Sequence, residues 1–200
     1  MTKNLNNQLA RIISTLFVPP SFTIIVFTLF AVTLETESVK IISTILVAFI
    51  FGFTAQIILF VFLRRQGKIV DLDASVKEER TIPFLISVGF YLIGLIILIL
   101  FKVNPISIAF WFCYISNTLV TILINKHWKI SAHAMGAAGP LAAITFVFGP
   151  LALFFSIIIF LVAWARIQLR VHSFSQVLTG ILFAFASTYI QILIVVKWIY

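Results

Sequence analysis

Residues 83–101 read PFLISVGFYLIGLIILILF, nineteen positions without one charged side chain, and the reading of this stretch decides the fold. Its length matches the roughly 20 apolar residues with which an α-helix crosses the ~30 Å hydrocarbon core of a bilayer. A helix also closes its backbone hydrogen bonds within one segment, as lipid requires. Working outward, further apolar segments occur at Leu9–Leu34, Val39–Leu63, Ile106–Ile124, Ala134–Phe148, Leu151–Ala165 and Val177–Val196. The chain is 62% hydrophobic and 10% charged, with a mean hydropathy of +1.19, more apolar than a water-soluble domain tolerates. The expected fold is all-α, a polytopic transmembrane helix bundle of about six to seven spans, forming a single integral membrane domain over residues 1–200. Ala134–Phe148 and Leu151–Ala165 are the short members: 15 residues each rise about 22 Å. Leu9–Leu34 carries Pro19-Pro20 and is too long for a signal peptide, so it reads as a retained first span.

The net charge of +8 does not point to nucleic acid, because the basic residues sit in short connections between apolar stretches instead of forming a soluble basic face. With seven crossings, the N-terminus and the connections 64–82, 126–133 and 166–172 share one side of the membrane. That side holds Lys3, Arg11, Arg64, Arg65, Lys68, Lys77, Arg80, Lys126, Lys129, Arg166 and Arg170, against Lys40, Lys102 and Lys197 opposite. The positive-inside rule then predicts a multi-pass cell-membrane protein whose site-bearing face is cytoplasmic. Cys113 is the only cysteine, so neither a disulfide framework nor a thiolate metal site is expected. Gly89, Gly94, Gly136, Gly139 and Gly180 read as helix-packing positions, and Gln56 and Gln191 as interhelical hydrogen-bonding groups.

The chemistry concentrates on that one side. His133 opens the fifth span and His172 precedes the seventh, each with a cation shortly before it, Lys129 and Arg166. A third connection holds Asp71, Asp73, Lys77, Glu78, Glu79 and Arg80 ahead of Pro83. Three helices begin here, and their free N–H groups favour an anion. Thr81, Ser131 and Ser173 stand where N-caps are expected, and Ser173 with Gln176 reads as a capping box.

Residues 165–180, Ala165 through Arg166, His172 and Gln176 to Gly180, resemble the third signature of the type-2 phosphatidic acid phosphatase superfamily: Ser-Arg, five residues, His, three residues, Asp. Ala165 replaces the serine and Gln176 the aspartate, a glutamine that the dolichyl diphosphatase branch also carries. Lys129-Ile130-Ser131-Ala132-His133 is similar to the second signature, Pro-Ser-Gly-His. The first, Lys, six residues, Arg-Pro, survives as Arg80 followed by Pro83, with Asp73 at the lysine position and Lys77 or Lys68 as substitutes. The resemblance covers residues 64–180. It implies a metal-independent phosphatase acting on a membrane lipid phosphate or prenyl diphosphate, with no cofactor. In that scheme His172 is the nucleophile that becomes a phosphohistidine and His133 the general acid. Arg166 and Arg80, with Lys129 and Lys77, hold the phosphoryl oxygens, and the Ser131 backbone N–H adds a contact. Gln176 orients the His172 ring. Arg170 and His127 read as membrane-boundary residues.

The same departures would suit a family member that binds lipid phosphate without turnover. A small transporter is a weaker alternative, because the cations cluster at one face instead of along a path. Asp71, Asp73, Glu78 and Glu79 would suit magnesium on a diphosphate, as in intramembrane prenyltransferases, but those enzymes need a second acidic segment and no Asp or Glu follows Glu79. The acidic loop is therefore expected to be solvated, and no metal is expected.

Overall fold

A computed structural model describes residues 2–71 and 73–199; the side chain of Lys3, counted among the cations above, lies outside the described part. Helices account for nearly every apolar segment: α1 Thr2–Leu16, α2 Pro19–Leu34, α3 Ser38–Val47, α4 Ala55–Arg65, α5 Thr81–Leu100, α6 Pro105–His127, α7 Ala132–Phe148, α8 Ser156–Gln168 and α9 Phe174–Ile199. α3 and α4 are joined by a seven-residue π-helical stretch, Ala48–Thr54, into one continuous span. The Gln56 side-chain amide donates to the Phe51 carbonyl at 3.0 Å, supplying a donor beside the widened turn. Five helical segments are long and apolar enough to cross a membrane, and a sixth arises if α1 and α2 count together. The protein is a transmembrane helical bundle.

The first segment departs from expectation. Instead of one span over Leu9–Leu34, the chain bends by 48° between α1 and α2. Pro19 has no N–H for helix continuation and drives Val18 into extended backbone, φ −72° and ψ 149°, as the residue before a proline prefers. α1 packs along α8 and α2 along α7. The sixth segment departs in the opposite sense: Pro150–Gln168 is a full span of 19 residues, because the helix runs past Ala165 and carries Arg166 into the protein. α7 has 17 residues, about 25 Å of rise. It sits at the centre of the bundle against α2, α8 and α9.

Small residues permit that position. A Cβ added at Gly136 would lie 2.7 Å from Pro19 Cβ, and one at Gly180 3.0 Å from the Ser131 carbonyl oxygen. Gly89, by contrast, has open space around it and is not a packing site. Farther from the charged connections, Phe27, Phe30, Phe110, Trp111, Tyr91 and Tyr114 form an aromatic core with neighbouring rings 5.1–6.4 Å apart. The indole of Trp111 donates to the Tyr91 carbonyl at 2.7 Å. Gln191 bonds Asn117 and Ser187 at 3.2 and 2.7 Å, joining α6 to α9 as expected.

Candidate active site

Each site residue is delivered by the end of a helix. α8 closes in a Schellman motif: the Arg170 N–H reaches the Ile167 carbonyl at 2.9 Å and the Val171 N–H the Arg166 carbonyl at 3.3 Å. Arg170 takes the left-handed conformation this motif needs, φ 57°, a position glycine usually fills. The reversal puts His172 beside the start of α9. There Ser173 and Gln176 form the expected capping box: Ser173 Oγ accepts from the Gln176 N–H at 3.3 Å, and Gln176 Oε1 accepts from the Ser173 N–H at 3.2 Å. Gln176 Oε1 also lies 3.0 Å from His172 Nδ1. A backbone N–H can only donate, so the atom it faces is the amide oxygen. His172 Nδ1 therefore carries the ring proton and Nε2 the free lone pair. One Gln176 side chain thus makes both the capping contact and the contact to the His172 ring.

His172, His133, Arg166 and Arg80 line one cavity of about 410 Å³, although they come from three connections that are remote in sequence. Arg80 is 4% exposed and Arg166 1%. Arg80 is held by Nε donating to the Ala74 carbonyl at 2.6 Å and Nη1 to the Ile130 carbonyl at 3.0 Å. Arg166 Nη1 donates to Ser14 Oγ at 2.7 Å and pairs with Asp73 at 2.5 Å, while its Nε is buried without a partner among the described residues. Burial, then the charges of Arg80, Lys129 and Arg166, push the His172 imidazole down to about 3, so it is neutral at physiological pH.

Asp73 corrects the sequence reading of a solvated acidic loop. Its side chain is 8% exposed and is bracketed by Arg166 and by Arg11, 2.7 Å away. Burial pushes the Asp73 carboxyl up, but the Arg11 hydrogen bond and the charge and hydrogen bond of Arg166 outweigh it and hold the group below its ordinary value. Asp71 faces its own loop, accepting from the Asp73 N–H at 2.7 Å and from the Ser75 N–H and hydroxyl. Among the described residues no three His, Cys, Asp or Glu side chains form a group able to hold a metal ion.

Other expectations change. Ser131 caps α7, its Oγ accepting from the Ala134 N–H at 3.4 Å, but its own N–H is engaged by the Gln176 carbonyl at 3.3 Å and is not aimed at a phosphoryl group. Lys129 Nζ donates to the Val171 carbonyl at 2.7 Å, tying its connection to the one holding His172. Burial, then Arg80 and Arg166, lower its ammonium below the ordinary value. Lys77 lies farther out, on the Lys126 carbonyl at 3.2 Å, and neither lysine lines the cavity. Thr81 makes no cap; α5 begins directly from the short helix Glu78–Arg80. Arg170, read from the sequence as a boundary cation, is the turn residue of the Schellman motif.

Sequence reasoning missed Asp73, Arg11 and Ser14 as a unit. Arg11 and Ser14 are three residues apart, hence on one face of a helix, and that spacing was the available signal. It was obscured by reading Leu9–Leu34 as one apolar span. Comparison of the chain with protein-family models, with curated proteins and with solved structures finds no match.

Proposed function

We propose that this protein is an integral-membrane phosphatase that hydrolyses a lipid phosphate or prenyl diphosphate through a phosphohistidine on His172. The observation that carries the reading is the convergence of a neutral, oriented histidine with a second histidine and two buried arginines on one cavity.

In the first step His172 Nε2 attacks phosphorus as the bond to the lipid oxygen breaks, and His133, which takes up a proton when the phosphoryl anion enters beside it, delivers that proton to the departing oxygen. In the second step water attacks the phosphohistidine, His133 takes the proton, and inorganic phosphate leaves as the histidine is freed. Splitting one displacement into two lowers each barrier. Arg80 and Arg166 stabilise charge on the nonbridging oxygens, the main demand of phosphoryl transfer. Asp73 supplies the counter-charge to the buried Arg166 guanidinium, and an arriving phosphoryl oxygen competes with it for Arg166. The imidazolium formed during attack has Gln176 Oε1 at Nδ1, an orienter without negative charge.

The excess of Lys and Arg on the site-bearing side supports a cytoplasmic active site. Labelling a cysteine at position 197 with an impermeant reagent on intact cells tests this; labelling is expected, and protection would reverse the orientation. The activity is tested by phosphate release from lipid substrates with excess chelator. Release by the wild type and none by His172→Ala is expected. No release from any lipid phosphate would favour binding without turnover, and release abolished by chelator would reject the metal-independent mechanism.

A further inference from the structure

We propose that the protein carries a second anion site on the outside of the bundle, a groove between α1 and the end of α8 that binds the phosphate headgroup of an anionic membrane lipid. Neither histidine takes part in it, and the phosphatase reading is not needed for it. The groove is walled by Asn7, Gln8, Arg11 and Ile12 of α1 and by Gln168 and Arg170 at the close of α8. The Gln168 amide joins the two walls, donating to Asn7 Oδ1 at 2.9 Å. Two guanidinium groups thus share one groove, and among the described residues no Asp or Glu lines it. Arg11 donates from Nη1 to Asp73 and stays part-exposed. The exposed Arg170 pairs with no acid among the described residues. A guanidinium holds five N–H donors in a planar fork that matches phosphate oxygens, so both arginines keep donors for a ligand.

Backbone strain points the same way. Arg170 sits at φ 57°, where glycine is the usual residue and a side chain adds strain. The turn itself makes no use of the guanidinium, because the bonds from Arg170 and Val171 to the Ile167 and Arg166 carbonyls are all backbone. A cation held at a strained position that the turn does not require fits a binding role.

The surroundings of the groove select a lipid over a free anion. Around α1, at 3.6 residues per turn, the lining runs Asn7, Arg11, Gln8, Ile12. That arc leads from the face packed on α8, where Ala10 and Ser14 are buried, to a stripe of exposed apolar residues, Leu5, Leu9, Ile12 and Leu16. On α8 the groove follows directly after Trp164 and Ile167, both exposed. Tryptophan favours the headgroup boundary, and a helix with one apolar stripe and polar flanks lies with that stripe among acyl chains. Free phosphate would meet the two cations and leave the apolar surface bare. An anionic lipid satisfies both, with phosphate oxygens on Arg11 and Arg170 and acyl chains along Ile12 and Ile167. A zwitterionic headgroup fits worse, since the groove offers its cation no acid.

The test uses purified full-length protein in detergent and native mass spectrometry, which counts bound lipids and does not depend on turnover. The probes are dioleoyl phosphatidylglycerol, dioleoyl phosphatidylcholine and inorganic phosphate. Phosphatidylglycerol is expected to bind more tightly than phosphatidylcholine. Arg170→Gly, a substitution the turn accommodates, should weaken phosphatidylglycerol binding about fivefold, the effect of one cation near a membrane surface. Gln8→Glu, which brings a carboxylate into the groove, should weaken it as much. Arg170 does not line the cavity of the histidines, so its loss reads the groove. Arg64→Gln removes an equal charge at an exposed position of α4 outside the groove and should change nothing. Unchanged phosphatidylglycerol binding in Arg170→Gly and Gln8→Glu would overturn the site. An equal loss in Arg64→Gln would also overturn it, reducing it to a general effect of charge. Phosphatidylcholine bound as tightly as phosphatidylglycerol would overturn the anionic preference, and displacement of the lipid by millimolar inorganic phosphate would overturn a lipid as the occupant.

Discussion

Replacing Asp73 by asparagine keeps the shape of the side chain and removes the charge that faces Arg166. Arg166 is 1% exposed and its ion pair with Asp73 spans 2.5 Å, whereas Arg11, the other partner, is 43% exposed. Losing the Arg11 contact therefore costs little, because exposed pairs contribute about 0–1 kcal/mol. Leaving the Arg166 charge buried and uncompensated costs more, about 3–5 kcal/mol for removal of one partner of a buried pair. The asparagine oxygen still accepts one hydrogen bond, which places Asp73→Asn near 3 kcal/mol. For a chain of this size that lowers Tm by about 6–12 °C. If the phosphoryl group competes with Asp73 for Arg166, an added anion repairs the defect. Phosphate or vanadate at 100 times its Kd contributes about 2.7 kcal/mol, nearly the whole deficit, and the variant should bind it more tightly than the wild type. The assay is thermal unfolding of the purified protein in detergent with and without the anion. An unchanged Tm in the variant, or equal stabilisation of both proteins by phosphate, would refute the account of Asp73.

Three further outcomes follow from the geometry. Gln176→Leu removes the acceptor at His172 Nδ1 and half of the capping box, and should lower kcat by about 10²-fold with little change in KM; Gln176→Glu should restore the rate and move the acid limb of its pH profile upward, which a purely structural role would not do. Arg170→Gly relieves a left-handed φ of 57° and should leave unfolding stability unchanged or raised by up to about 1 kcal/mol in a thermal melt, since left-handed backbone costs an L-residue about that much. The His172 imidazole, depressed to about 3, binds fewer protons in the folded than in the unfolded protein between pH 3 and its ordinary value of 6.5. Its contribution to stability is complete above pH 6.5 and is lost as the pH falls toward 3. The nucleophile should accordingly stay active through pH 5 in kcat/KM profiles, and an imidazole seen by NMR to titrate near pH 6.5 in the wild type and missing from His172→Ala would contradict that assignment.

Much of this molecule follows from local rules that act on sequence alone. Apolar runs of membrane length between charged connections dictate helices, because lipid offers backbone groups no other partner. The spacing from Arg166 to His172 to Gln176 already places a polar side chain one helical turn after a histidine. The Ser173 capping box was legible for the same reason, since both partners lie within four residues. What depends on distant partners was not legible. Thr81 and the Ser131 N–H looked free for caps or anions, and only the docking of Gln176 against Ser131 decided the latter. Asp73 read as a solvated loop acid, since nothing within its own connection shows that Arg166, 93 positions away, and Arg11 would close on it. The depth of the cavity beside the two histidines likewise depends on how far α5, α6, α7 and α9 stand apart. Hydropathy along a chain determines which segments leave water, but charge pairing and cavity shape arise between segments, and tertiary packing decides both.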